Sequence, residues 1–320
     1  MLVDLPLEQL RTYRHPRPAP AGLRGFWDET LATSRAAGGE VVAQRLAHPM
    51  RTLTVHDVTF PGFAGDPIRA WWLLPPEARG VVVEFLGYGG GRGLPHERIL
   101  WAAHGYGYLV VDSRGQGAIW NAGDTPDPHG AGASAPGMLT RGIESPETLY
   151  YRRLLTDAVR AVDAVAQLPG GADQPIAVVG HSQGGAMALA AAALHLGVTT
   201  AFARTPFLCG ISRSVEATPE GPYTELGSYL ATHRDRTEQA LAVLDHVDVA
   251  HLVPWITCPT RVTVGLGDLI CPPSGIFAAI NAMDPAPDVT TWPYNGHEGG
   301  GAYDDAALAL WLDHHLRGEE

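Results

Sequence analysis

Cysteine is scarce in this chain of 320 residues: Cys209, Cys258 and Cys271, odd in number and widely spaced. That excludes a disulfide framework and suits reduced thiols in a cytoplasmic protein. Basic residues are also in short supply, 22 Lys and Arg against 34 Asp and Glu, for a formal net charge of −12. Such a surface argues against nucleic acid or an anionic membrane as partner. No apolar run reaches membrane-spanning length, and Met1 to Leu10 lacks the basic start and apolar stretch of a signal peptide. His15, His48 and His129 each stand alone without metal-ligand spacing, so no metal cluster is expected. The glycines from Gly87 to Gly93 lack the lysine and Ser/Thr partner of a phosphate loop. There is no internal repeat. What is left is an acidic, soluble globular protein, whose 45% hydrophobic content is ample for a core.

Along the chain, residues 1 to 50 read as an extension packed on a single main domain, with a helix over Phe26 to Ala36. Thr52 to Phe60 and Ile68 to Leu74 alternate as strands around a Gly62/Gly65 turn. Val81 to Leu86 is a continuous apolar run, as in a strand buried on both faces. It ends in Gly87-Tyr88-Gly89-Gly90-Gly91, a loop flexible enough to bring backbone N–H groups to a ligand. Glu97 to His104 is predicted helical and Tyr108 to Val111 a buried strand. Residues 118 to 146 are rich in glycine and proline, the composition of a functional or disordered loop. A helix over Glu147 to Leu168 presents Leu154, Leu155, Ala158, Val159, Val162 and Val165 on one face.

Beyond it, Ile176 to Val179 is a strand, Ala186 to Leu194 a helix and Thr199 to Arg204 a strand. Residues 211 to 252 lose the strand pattern and read as two or three helices inserted over the site. Thr260 to Gly265 and Val289 to Trp292 resume the sheet, with helices over Ser274 to Met283 and Asp304 to Leu316. Alternation at this spacing means an α/β protein with a mostly parallel sheet covered on both faces.

The most informative stretch is Gly180-His181-Ser182-Gln183-Gly184. Strand, G-x-S-x-G and helix in that order make a nucleophile elbow, which projects the serine from the end of the sheet. A serine hydroxyl needs a base, and on this architecture an acid and then a histidine should follow it in the chain. His297 follows the last strand in a glycine-rich loop, whereas His314 and His315 lie inside the terminal helix. Asp268 stands at the C-terminal end of a strand, where open α/β sheets carry their chemistry. Asp284 and Asp288 lie at the opposite end. Oxyanion donors are expected from the N–H of Gln183 and from Gly87 or Tyr88. Cys271, near Asp268, is expected to be buried beside the site.

Gly87-Tyr88, Arg114-Gly115-Gln116-Gly117, Thr140-Arg141-Gly142-Ile143 and Tyr150-Tyr151-Arg152-Arg153 form a series with Ser182-Gln183-Gly184-Gly185, Pro206-Phe207-Leu208-Cys209, Gly267-Asp268, Cys271-Pro272-Pro273-Ser274 and Gly296-His297-Glu298. Together they resemble the acetyl xylan esterase/cephalosporin C deacetylase family, from about Tyr13 to Leu316. The resemblance implies an α/β-hydrolase fold with a helical insertion, and Ser182, Asp268 and His297 as the triad. It also implies that Tyr88 lines the acyl pocket and gives its N–H, beside that of Gln183, to the oxyanion. No cofactor is implied; the partners implied are small acetate esters and further copies of the chain in a ring-like hexamer. Leu86 stands where the family carries histidine, His181 where a small residue is more usual, and Arg204-Thr205 where an apolar or acidic pair is usual. A peptidase or amidase of the same fold and a non-catalytic binding module are the competing readings.

Overall fold

The computed structural model describes residues 3–130 and 132–317. Its strands, in chain order, are β1 (Val42–Leu46), β2 (Thr54–Pro61), β3 (Pro67–Leu74), β4 (Val81–Phe85), β5 (Gly107–Val111), β6 (Ile176–His181), β7 (Val198–Arg204), β8 (Thr260–Gly265) and β9 (Asp288–Trp292). They form one sheet in the order β1-β2-β3-β5-β4-β6-β7-β8-β9. The β1, β2, β3 and β5 pairings are antiparallel, and those from β5 through β4 and β6 to β9 are parallel.

The helices are α1 (Leu7–Leu10), α2 (Leu23–Ala36), α3 (Leu100–Ala103), α4 (Tyr150–Val165), α5 (Gln183–Leu194), α6 (Ile211–Ala217), α7 (Tyr223–Thr232), α8 (Thr237–Leu244), α9 (Val249–Leu252), α10 (Pro273–Ile280) and α11 (Ala302–Arg317). This is the α/β-hydrolase fold, with α6 to α9 inserted between β7 and β8.

The valines of β4 explain the two-layer cover. Successive side chains of a strand point to opposite faces, so Val81, Val83 and Phe85 join the core under α4 and α5. Val82 and Leu86 join the smaller core on the other face, with Trp101 of α3 and Leu308 and Leu312 of α11. From β4 the chain runs outward to β5, then returns through α4 to β6 on the other flank of β4. The crevice between the C-terminal ends of β4 and β6 is therefore the switch point at which open sheets bind ligands.

Three local expectations change. Strand β1 lies within what reads as an extension and pairs along its whole length with β2. The helix expected over Glu97 to His104 is a 3₁₀ turn (Pro95–Glu97) followed by the single turn of α3. Ile99 and Leu100 there are 42% and 38% exposed, so no apolar face drives a longer helix. The insertion comprises four α-helices, not two or three.

The loop over 118–146 carries neither helix nor strand among its described residues, yet it is tied down. Buried Asp112 accepts from the N–H of Asp124 and the hydroxyl of Thr125. Arg153 of α4, 3% exposed, donates twice to Asp127. Fully buried Arg114 holds Asp157 of α4 through two hydrogen bonds and reaches Asp66 in the β2–β3 connection. Paired in this way, the buried charges fix the loop to the scaffold.

Candidate active site

Ser182 follows β6 with φ 58° and ψ −119°, a conformation that an L-residue holds only when its surroundings impose it. The surroundings here are packed backbone. A Cβ on Gly180 would lie 2.1 Å from the carbonyl carbon of Gly184, and one on Gly184 would lie 2.0 Å from the carbonyl oxygen of Phe85. Glycine on both sides is thus what lets α5 start directly over the end of β4. Gln183 is the first residue of α5, so its N–H has no intrahelical acceptor and points with the positive end of the helix dipole.

Asp268 and His297 come from the turns after β8 and β9 and meet at 2.8 Å, between Asp268 Oδ2 and His297 Nδ1. The other carboxylate oxygen of Asp268 accepts the N–H groups of Ile270 and Cys271, at 2.8 and 2.9 Å. The aspartate is 1% exposed and its orientation is fixed on both sides. Asp284 and Asp288 lie away from this point, Asp288 opening β9 and bonding Trp311 of α11. His314 and His315 lie in α11, and His315 bonds the carbonyl of Trp311.

The side chain of Ser182 reaches Cys271, whose sulfur lies within 4.8 Å of ligating atoms of Asp268 and His297. Cys271 is buried, and burial, with the Asp268 carboxylate adding to it, raises the thiol far above its ordinary range.

The glycine run after β4 works by close approach more than by flexibility. A Cβ on Gly90 would lie 1.9 Å from the Trp120 ring, and one on Gly91 would lie 2.3 Å from the backbone of 122–123. The amides of Gly89, Gly90, Gly91 and Gly93 are taken by Gln116 Oε1 and by the carbonyls of Gly87, Asn121 and Ala122. Gly87 and Tyr88, the two positions expected from the sequence, have N–H groups that are not committed in this way.

Two positioning groups escape sequence reasoning. Gln116 accepts from Gly89 N–H at 2.6 Å and donates to Tyr150 Oη and to Gln183 Oε1, both at 2.8 Å. It thereby links the loop after β4 to the first residue of α5, and its only sequence signal is membership of the Arg-Gly-Gln-Gly motif. Glu225 of α7 accepts from the Tyr88 hydroxyl and, at 3.0 Å, from the N–H of Leu139. Burial holds its carboxyl above the usual carboxylate range. Nothing in the local sequence announces it. The phenol of Tyr88 also accepts the N–H of Met138 at 2.7 Å, and burial followed by Glu225 pushes its own pKa up.

The acetyl xylan esterase family profile matches residues 1–315. The solved acetyl xylan esterase from Paenibacillus sp. R4 is 32% identical, with a TM-score of 0.91 over 98% of this chain and 100% of that one. Acetyl xylan esterase 1 from Thermoanaerobacterium sp. JW/SL YS485 is 27% identical, with a TM-score of 0.89 over 97% and 99% of the two chains. Acetyl esterase Axe7A of Xylanibacter ruminicola is 28% identical over 164 residues, half of this chain and 36% of that longer protein. The match thus spans about a third of the length of that curated relative, 36%. With the whole length matched, the chain belongs to the acetyl xylan esterase family, a family of carboxylic-ester hydrolases.

Proposed function

We propose that this protein is a serine esterase that removes acetyl groups from small acetylated saccharides or related acetate esters, acetylated cephalosporins among them. Ser182 attacks the acetyl carbonyl as His297 takes its proton. His297 then protonates the leaving alcohol, and water releases acetate by the same two steps. Asp268 holds the imidazole in the tautomer that leaves Nε2 free and steadies the imidazolium. The N–H groups of Tyr88 and Gln183 receive the charge that develops on the carbonyl oxygen.

The observation that carries this reading is the 2.8 Å contact of Asp268 with His297 beside a serine held at φ 58°. Hydrolysis of a p-nitrophenyl ester series from acetate to octanoate, by the protein and its Ser182→Ala variant, tests it. A sharp preference for acetate, lost in the variant, is expected. A preference for long acyl chains, or full activity in Ser182→Ala, would overturn it. Greater activity on aminoacyl amides than on acetate esters would favour the amidase reading.

Assembly into a ring-like homohexamer is part of the proposal and rests on the resemblance; a solution mass below six chains would remove it. A cytoplasmic location is proposed from three cysteines that form no disulfide.

A further inference from the structure

The sequence sets His15 apart from any ligand partner, but the fold gives it three. His15 lies between α1 and α2, Asp245 closes α8, and Asp248 and His251 open and occupy α9. Ligating atoms of His15, Asp245 and His251 lie within 4.8 Å of one another. The two imidazoles are 4.3 Å apart between ring centres. The side chains of His15, Asp245 and His251 are 8%, 8% and 5% exposed.

Within this cluster the Nε2 of His251 is buried and has no hydrogen-bond partner. The nearest carboxylate oxygen, Asp245 Oδ1, is 3.7 Å away, too far for a hydrogen bond. It is close to the roughly 3.4 Å that separates a nitrogen and an oxygen bound tetrahedrally to one zinc ion. Asp245 keeps this oxygen toward His251 because Arg17 Nε occupies the other, Oδ2, at 2.8 Å.

His15 adds a second pair of atoms facing the same way. Its Nδ1 is 2.7 Å from the carbonyl oxygen of Arg17 and 3.0 Å from the N–H of the same residue. Donation from Nδ1 to the carbonyl leaves a lone pair on Nε2, which faces Asp248 Oδ2 at 3.0 Å. A proton shared with the carboxylate, as in an imidazolium–aspartate pair, satisfies that contact, and a metal on Nε2 would take the proton's place. A histidine that binds a metal characteristically donates its other ring N–H to a backbone carbonyl or a carboxylate.

We propose that His15, Asp245 and His251 form a binding site for a borderline divalent cation, zinc being the best fit to two imidazoles and a carboxylate. The site ties the segment before α2 to the end of the helical insertion. None of its residues belongs to the Ser182, Asp268 and His297 constellation, so its part is structural.

The test is metal content and thermal stability of the full-length protein, stripped with chelator and re-equilibrated with zinc. One equivalent retained through gel filtration and a Tm that rises with zinc are expected, with both lost in His15→Asn and in His251→Asn. Cobalt replaces zinc as the spectroscopic probe: an N/O site gives only weak d–d bands. A strong thiolate-to-cobalt charge-transfer band would place the ion at a cysteine and overturn the proposal. No retained zinc and no Tm response in the unmodified protein would also overturn it, with no variant needed. Retention unchanged in both variants would do the same, and their circular dichroism in chelator shows that they fold.

Discussion

The imidazole Nε2 of His181 stands 2.6 Å from the carbonyl oxygen of His297, and the two rings are 4.7 Å apart. The hydroxyl of Thr205 donates to the same carbonyl at 3.0 Å. Two of the residues by which this chain departs from the family resemblance therefore converge on the backbone of the proposed base. Arg204, next to Thr205, holds Asp304, which in turn accepts the N–H of Gly300 in the same loop. The departures form one support for the His297 turn.

The surroundings of His181 favour its neutral form. Burial, and then the nearby His297, lower its pKa from 6.5 to about 4. A histidine depressed in the folded state binds protons more readily when unfolded, so stability rises with pH between about 4 and 6.5 and falls as the solution is acidified through that window. The full contribution is at most about 3 kcal/mol. The slope of Tm against pH over this window should flatten in His181→Asn. In the neutral range the variant loses one of two donors to the carbonyl, worth about 1 kcal/mol or roughly fivefold in kcat. An unchanged Tm–pH curve would disprove the argument.

Asp268→Asn isolates orientation from charge. The asparagine oxygen can still accept the N–H groups of Ile270 and Cys271, so the turn should keep its shape and Tm should move little. The amide would face His297 Nδ1 with a donor, which selects the wrong tautomer. A loss of about 10⁴ in kcat on p-nitrophenyl acetate is expected. A loss below tenfold would remove Asp268 from its proposed role.

Much of this site is legible in the sequence because topology forces it. A G-x-S-x-G between strand and helix can only lie at the C-terminal end of the sheet, and the turns after the last two strands are the places from which an acid and a base can reach it. Legibility ends where the relevant partner is remote. Strand β1 shows no alternation to read, since none of its five residues is buried and only its pairing with β2 makes it a strand. Glu225 sits on an ordinary amphipathic helix, and its contact with Tyr88 depends on how the insertion folds back over 137 positions of chain. His15 meets Asp248 across 233 positions. No spacing rule reaches that far.

The glycines of the elbow are not equivalent. A Cβ on Gly184 meets backbone at 2.0 Å, whereas one on Gly185 comes no closer than 3.2 Å to Arg204 O and Pro206 Cα. Backbone of the central strand β4 cannot yield without disturbing the sheet, but a few tenths of an ångström can be absorbed at the start of β7's following turn. Gly184→Ala should cost about 3 kcal/mol or more and Gly185→Ala about 1 kcal/mol. Denaturant unfolding of both variants checks the difference. Equal destabilisation would mean that α5 shifts as a body.

Glu225 is placed to set the proposed acyl pocket. Its two carboxylate oxygens receive the Tyr88 hydroxyl and the N–H of Leu139, and so close α7 and the 135–139 turn over the loop after β4. A Cβ on Gly137 would lie 2.0 Å from the Glu225 carboxyl, so this turn is packed against the acid itself. Removing it in Glu225→Ala breaks hydrogen bonds to an ionisable group worth about 1.5–3 kcal/mol together, or roughly 10- to 100-fold. Because Tyr88 touches the acyl group in the proposed reaction, the loss should fall on kcat/KM for acetate esters. Selectivity against butyrate should relax in the same variant as the tyrosine gains freedom. Glu225→Gln keeps an acceptor for one donor and should recover part of the loss. If kcat/KM and acyl selectivity are both unchanged in Glu225→Ala while the 135–139 amides exchange faster, Glu225 anchors the loop and has no part in the pocket.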